Sequence, residues 1–166
     1  PMISAPSGDI PALRLLAAAL ADSGRARLPA RLLGKNMVSD PNAASTVAAQ
    51  FTPRRYASEL TLFAQTGPQG VDRIKNALLD EIRKLRDAPL SPAELASAKN
   101  YLRGAWSVER EALRDRAFQA ALPTVLAASP DTSWPHSVQA VTAADVQRVA
   151  KKYLNNYAVA LIMPQS

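Results

Sequence analysis

The chain has 166 residues, a formal net charge of +6, 48% hydrophobic and 20% charged residues, and no cysteine. One domain of that length buries roughly two-thirds of its unfolded surface, enough for a real core. Disulfides, thiolate catalysis and cysteine-held metals are excluded, and no apolar run approaches the ~20 residues that cross a bilayer.

Residues 7–24 read as a helix with Ser7 or Asp9 as cap and Pro11 in the first turn. Leu13, Leu16, Ala17 and Leu20 fall on one face, and Gly24 is a natural stop. The Leu13 to Leu20 run carries Arg14 and is followed by Asp22, which predicts a surface helix. A second short helix covers Ala26 to Leu33 and ends at Gly34; Asp40-Pro41-Asn42 then marks a turn in a polar loop. Ser45 to Phe51 and Ser58 to Gln65 are strand candidates, joined by the hairpin-length Thr52-Pro53-Arg54-Arg55-Tyr56-Ala57. In the second, Thr61 and Phe63 alternate with Leu60, Leu62 and Ala64, compatible with burial on both faces or with one mildly polar face.

After Gly67-Pro68-Gln69-Gly70, Ile74, Leu78, Ile82 and Leu85 form the stripe of a helix from Val71 to about Arg86. Ser91 opens the next helix. Its hydroxyl can accept from the Glu94 N–H while Glu94 reaches back to the Ser91 N–H, and Pro92 sits where its missing N–H costs nothing. Leu95, Ala98 and Leu102 give this helix an apolar face. Periodicity resumes beyond Gly104 through Val108, Leu113 and Phe118 until Pro123 kinks or ends it; 129–136 read as an irregular connection. Thr142 caps a last helix with Asp145 three residues on and Val146, Val149, Ala150 and Tyr153 facing inward. Tyr157 to Met163 is an almost unbroken apolar run, predicted to be a final strand in a central or covered position. This order implies an α+β domain, with helices packed on one face of a largely antiparallel sheet.

The positive charge invites a nucleic-acid interpretation, but its distribution argues otherwise. Arg83, Lys84 and Arg86 share a helix with Asp80, Glu81 and Asp87, and Arg103, Arg110, Arg114 and Arg116 are interleaved with Glu109, Glu111 and Asp115. The least neutralised groups are Arg25/Arg27/Arg31/Lys35 and Arg54/Arg55, with Tyr56 the one neighbouring aromatic, a thin stacking platform. Arg54, Arg55 and Tyr56 remain the candidate residues for facing a substrate or partner.

Nucleophilic and phosphate chemistry find little support. There is one histidine, His136, and no Gly-x-Ser-x-Gly elbow for a serine triad. Gly67 and Gly70 stand alone around Pro68, which is no phosphate cradle. Glu109 and Glu111, two residues apart, diverge on a helix and cannot act as a carboxylate pair.

Three stretches carry a resemblance to a known family: Leu20-Ala21-Asp22-Ser23-Gly24-Arg25-Ala26-Arg27-Leu28; Ser91-Pro92-Ala93-Glu94-Leu95-Ala96-Ser97-Ala98-Lys99; and Val141 through Leu154, followed by the apolar Ala158 to Pro164. In order and spacing they resemble the homologous domain of the pitrilysin/insulinase-type zinc peptidases, which includes mitochondrial processing peptidase and the respiratory core proteins. Arg27-Leu28 takes the place of that family's Arg-Leu helix junction. The Ser91 segment is similar to its Ser-x-Glu-Glu-Leu-x-x-Ala-Lys helix. The Val141 segment is similar to its closing Val-Thr-x-Asp-Val-x-x-Val-Ala-x-Lys-Tyr-Leu.

The resemblance implies a domain that pairs with a sister domain in a closed chamber for extended peptides. Zinc in that family sits in the first domain on His-x-x-Glu-His, two imidazoles four residues apart plus a carboxylate that activates water. His136, beside Pro135, has no Glu-His partner, so no catalytic or metal-binding residue is expected here, and zinc belongs to a catalytic domain of the parent chain or a partner subunit. The family's Arg and Tyr that reach the scissile region would fall near Leu33 and Asp40, and neither matches. The function implied is thus a non-catalytic, C-terminal-type domain of a zinc peptidase. The alternatives are a structural scaffold subunit like the respiratory core proteins, or a basic nucleic-acid module. The expected partners are a sister domain or catalytic subunit and extended peptide, with neither nucleic acid nor membrane insertion. Pro1 is not a natural initiator, so 1–166 is expected to be one domain of a longer chain, starting after the family's opening strand. Compartment stays open, with periplasm favoured over cytoplasm.

Overall fold

The computed structural model describes residues 2–3, 7–33, 43–54, 58–109, 111, 113–114, 116–117, 120–121 and 134–162. Strand β1 (Met2–Ile3) is followed by a 3-10 turn (Ser7–Asp9), helix α1 (Ile10–Ala17) and a π-helical turn (Ala18–Asp22). Helix α2 (Arg27–Leu32) precedes the hairpin of β2 (Ala44–Thr52) and β3 (Ser58–Thr66). The helices α3 (Val71–Asp87), α4 (Pro92–Glu109), α5 (Trp134–Ala140) and α6 (Ala143–Tyr153) complete the described elements. The sheet is antiparallel, in the order β1-β3-β2, so the α+β expectation holds.

Pairing runs from Thr52 opposite Glu59 to Ala44 opposite Thr66, with a bulge between Ala44 and Thr46. Along β3, Leu60, Leu62 and Ala64 are half-buried while Glu59, Thr61, Phe63 and Gln65 are exposed. That alternation decides the open question of its faces: one is covered, the other meets solvent.

The core centres on α1. Leu13, Leu15, Leu16 and Leu20 are fully buried, and Ala17 to Ala19 nearly so. The surface helix expected over Leu13 to Leu20 is therefore corrected. A helix that is apolar almost all round has no face to give to water, and α1 packs against α4, α5, α6 and β2. Arg14, within it, is half-buried, and loss of water lowers its guanidinium below its usual value, partly offset by the negative charge of Glu109.

Two further expectations need correction. Residues 134–136 begin α5 rather than lying in an irregular connection, because Pro135 falls in the first turn, where a missing N–H is harmless. The covered strand expected over Tyr157 to Met163 does not form among the described residues. There, 157–162 pair with no strand, and Tyr157, Val159, Leu161 and Ile162 are 52–95% exposed. An apolar run becomes a strand only where a neighbouring edge accepts it. No helix among the described residues is long and apolar enough to cross a membrane.

Candidate functional site

Arg54 follows β2 in the hairpin. Its backbone N–H donates to Ser58 Oγ (3.2 Å) and its guanidinium pairs loosely with Glu59 (3.4 Å), both side chains being half-exposed or more. Arg55 and Tyr56 lie outside the described residues. His136 is exposed on α5. Among the described residues no three His, Asp or Glu side chains cluster as a metal site would require. With a single histidine in the sequence, the donor set does not fit a zinc centre of the two-imidazole kind.

The motif residues meet each other instead. Ser91 and Glu94 form the predicted capping box: the Ser91 N–H donates to Glu94 Oε2 (2.8 Å) and the Glu94 N–H to Ser91 Oγ (3.3 Å). Onto the same carboxylate comes Arg27, from the start of α2, with Nε donating at 2.6 Å and Nη2 at 3.3 Å. Burial pushes the Glu94 carboxyl up, but the hydrogen bonds from Arg27 and Ser91 outweigh it and hold the pKa at about 2. The neighbouring Leu28 is fully buried. Thus the Arg-Leu junction and the Ser91 helix, far apart in sequence, are bolted together by one charge-assisted fork.

The other motif side chains act in the same way. Lys99 donates to the Gln139 carbonyl of α5 (2.6 Å). Thr142 and Asp145 form a second capping box, with the Thr142 N–H donating to Asp145 (2.9 Å) and the Asp145 N–H to Thr142 Oγ1 (3.1 Å). Gln147 donates to the Arg86 carbonyl near the end of α3 (3.0 Å).

The sequence offers Asp9 as a cap of the first helix, and the structure corrects that role. It precedes α1 but does not cap it by its side chain. Instead the buried carboxylate accepts from Arg148 (2.8 Å), Lys152 (3.1 Å) and Tyr153 (2.6 Å) of α6. Burial raises its pKa, and the hydrogen bonds from Tyr153, Arg148 and Lys152 reverse that to a net lowering. The 139-residue separation from Arg148 hides the pairing in the sequence. Asp9→Asn is expected to cost about 2 kcal/mol at pH 7, because three donors lose a charged acceptor. A urea midpoint unchanged from the parent, with the slope also unchanged, would contradict this.

The basic group at Arg25/Arg27/Arg31/Lys35 is less bare than the sequence indicates. Arg27 is taken by Glu94; Arg31 reaches Asp80 (2.7 Å) and the buried Glu81 (2.6 Å), which Lys84 also contacts (3.0 Å). Hydrogen bonds to Asp80 and then Glu81 raise the Arg31 pKa. Lys35 lies outside the described residues.

A further titratable group gathers where α4 faces the π-turn. Burial raises the Asp22 carboxyl. Burial, then the charges of Asp22 and Glu109, raise the Tyr101 hydroxyl. The group holds no imidazole.

No family model and no curated protein matches the chain, but solved structures do. A protease from Helicobacter pylori is 18% identical over 93% of this chain and 36% of its own, with a TM-score of 0.74. The inactive peptidase domain of a candidate zinc protease from Bordetella parapertussis is 21% identical over 92% of this chain and 83% of its own, with a TM-score of 0.71. A peptidase M16 inactive domain from Pseudomonas fluorescens is 19% identical over 92% of this chain and 35% of its own, with a TM-score of 0.70. The chain thus spans about a third of two of these proteins. It has the fold of the inactive peptidase domains of zinc proteases, which is the fold that its pitrilysin-type motifs imply.

Proposed function

We propose that this chain is a non-catalytic domain of a pitrilysin-type zinc peptidase, packing against a sister domain or catalytic subunit to close a chamber around extended peptide. The observation that carries this is the Arg27–Glu94–Ser91 junction: the residues matching the family motifs are spent on holding helices together, while the lone His136 stands exposed and without a ligand partner in the His-x-x-Glu-His sense. Zinc and the activated water belong, in this proposal, to the partner. The wide coverage of this chain by inactive peptidase domains supports it, and the pairing of Arg27, Arg31 and Arg54 with acids weighs against a nucleic-acid role.

The test is reconstitution. The chain, mixed with or joined to a pitrilysin-type domain that carries His-x-x-Glu-His, is expected to raise that domain's cleavage of an extended peptide. Equal cleavage with and without this chain would remove the chamber role and leave a scaffold.

A further inference from the structure

Strand β3 has two edges, and only one is filled. β2 pairs along one edge from Glu59 to Thr66, whereas β1 covers the other only at Ser58 and Glu59. Among the described residues, 60–66 have no strand on that side, so a row of backbone N–H and C=O groups is left open.

A groove of about 590 Å³ runs along this edge, with residues 62–66 on one wall, 156–162 on the other, and Ile74, Leu78 and Ile82 of α3 as its floor. The face of a strand shows alternate residues; a consecutive series lines a cavity only along an edge. An apolar small molecule in the groove would bury those backbone groups without partners, at a cost. A strand satisfies them.

The chain itself holds a segment of that kind. Tyr157-Ala158-Val159-Ala160-Leu161-Ile162 lies outside helix and turn, pairs with no strand and is exposed throughout. It offers six residues to the seven of 60–66, and neither stretch carries a charge. Of the residues lining the groove only Lys75 is charged, and Asp72 holds it at 2.7 Å. Two copies, each with a net charge of +6, therefore meet here without setting like charges opposite one another. Among the described residues no other stretch of this length is free of helix and strand.

We propose that two copies of the chain join by exchanging residues 157–162. The segment of each copy enters the groove of the other, between that copy's β3 and its own 157–162. The order across the joint is then β2, β3 and the groove wall of the first copy, with the second copy's segment between the last two. The second copy repeats this order in reverse around the same pair of segments. One two-fold operation thus closes both open edges in a single continuous sheet and covers Tyr157, Val159, Leu161 and Ile162, now 52–95% exposed. The two-fold axis stands perpendicular to the sheet, so the two segments run antiparallel. Opposite residues share a face, so one residue lies opposite its own copy, and for full overlap it is Val159 or Ala160, at the centre. This inference does not depend on the peptidase assignment.

Sedimentation velocity over a concentration series, read together with amide exchange at 60–66 and 157–162, tests it. The expected result is a monomer–dimer equilibrium, with nothing larger, in which exchange in both segments slows by about tenfold or more as the dimer forms. Val159→Asp places a carboxylate of each copy at or beside the axis and is expected to weaken the dimer by about tenfold or more. Because Val159 is exposed in the single copy, the thermal midpoint of the dilute variant should match that of the parent. A chain that stays monomeric to ~100 μM, a dimer that leaves either segment unprotected, or one that Val159→Asp does not weaken, overturns the proposal. So does protection of both segments in the dilute monomer, since residues 157–162 would then close the edge within one copy.

Discussion

Glu94→Gln is expected to destabilise the chain by about 2 kcal/mol at neutral pH and to change how its stability depends on acid. The carboxyl is held at a pKa of about 2 against an ordinary 4.5. A lowering of that size corresponds to about 3 kcal/mol by linkage. With about a fifth of the side chain open to water (21%, against 16% for Arg27), screening reduces this to about 2 kcal/mol. Gln can keep the cap toward Ser91 but not the charge that Arg27 binds, so the loss isolates the inter-helix pair. The sign follows from the lowered pKa. The stabilisation is fully present above pH 4.5 and is lost as pH falls from 4.5 toward 2. Urea unfolding of parent and variant at pH 7 and pH 3 checks this: the gap at pH 3 is expected to be roughly half that at pH 7 or less. A gap of the same size at both values contradicts the assignment.

Leu16→Ala is expected to cost more, about 3 kcal/mol. Leu16 is fully buried on α1, the helix against which α4, α5, α6 and β2 all pack. Cutting its isobutyl side chain back to a methyl leaves a void in the core, and close-packed neighbours relax only partly. For a chain of this size the thermal midpoint should fall by about 10 °C. Leu113→Ala, at a residue 78% exposed, should change stability by no more than ~0.5 kcal/mol. Similar losses at both positions would mean that α1 is not the centre of the core.

Glu94 and Leu16 also mark how far the sequence can be read. Both capping boxes are legible in it, because Ser91 with Glu94 and Thr142 with Asp145 are local and their chemistry is fixed by three-residue spacing. The hairpin is legible too, its strands differing from expectation by only a residue or so at their ends. The Arg27–Glu94 fork spans 67 residues, and only the family resemblance places both partners in motifs. Asp9 carries no such mark, and its three donors on α6 emerge only once α1 and α6 are packed.

Residues 157–162 show the converse. Their apolar run states a preference for a strand, but pairing depends on an edge that the run itself does not encode. The depth of α1 is hidden for a different reason: one arginine inside an apolar run looks like a sign of surface, yet Arg14 is carried half-buried. Of the candidate residues, only Arg54 can be placed, paired with Glu59 at the hairpin.

The residues that name the fold hold the helices together, and the proposed function places the zinc chemistry in another domain. Calorimetric titration of the purified chain with zinc at neutral pH tests that division most directly. No stoichiometric binding in the micromolar range or tighter is predicted, with no change in thermal midpoint on adding zinc, since one exposed imidazole cannot make a closed or catalytic site. Tight one-to-one binding, abolished by His136→Ala, would contradict it.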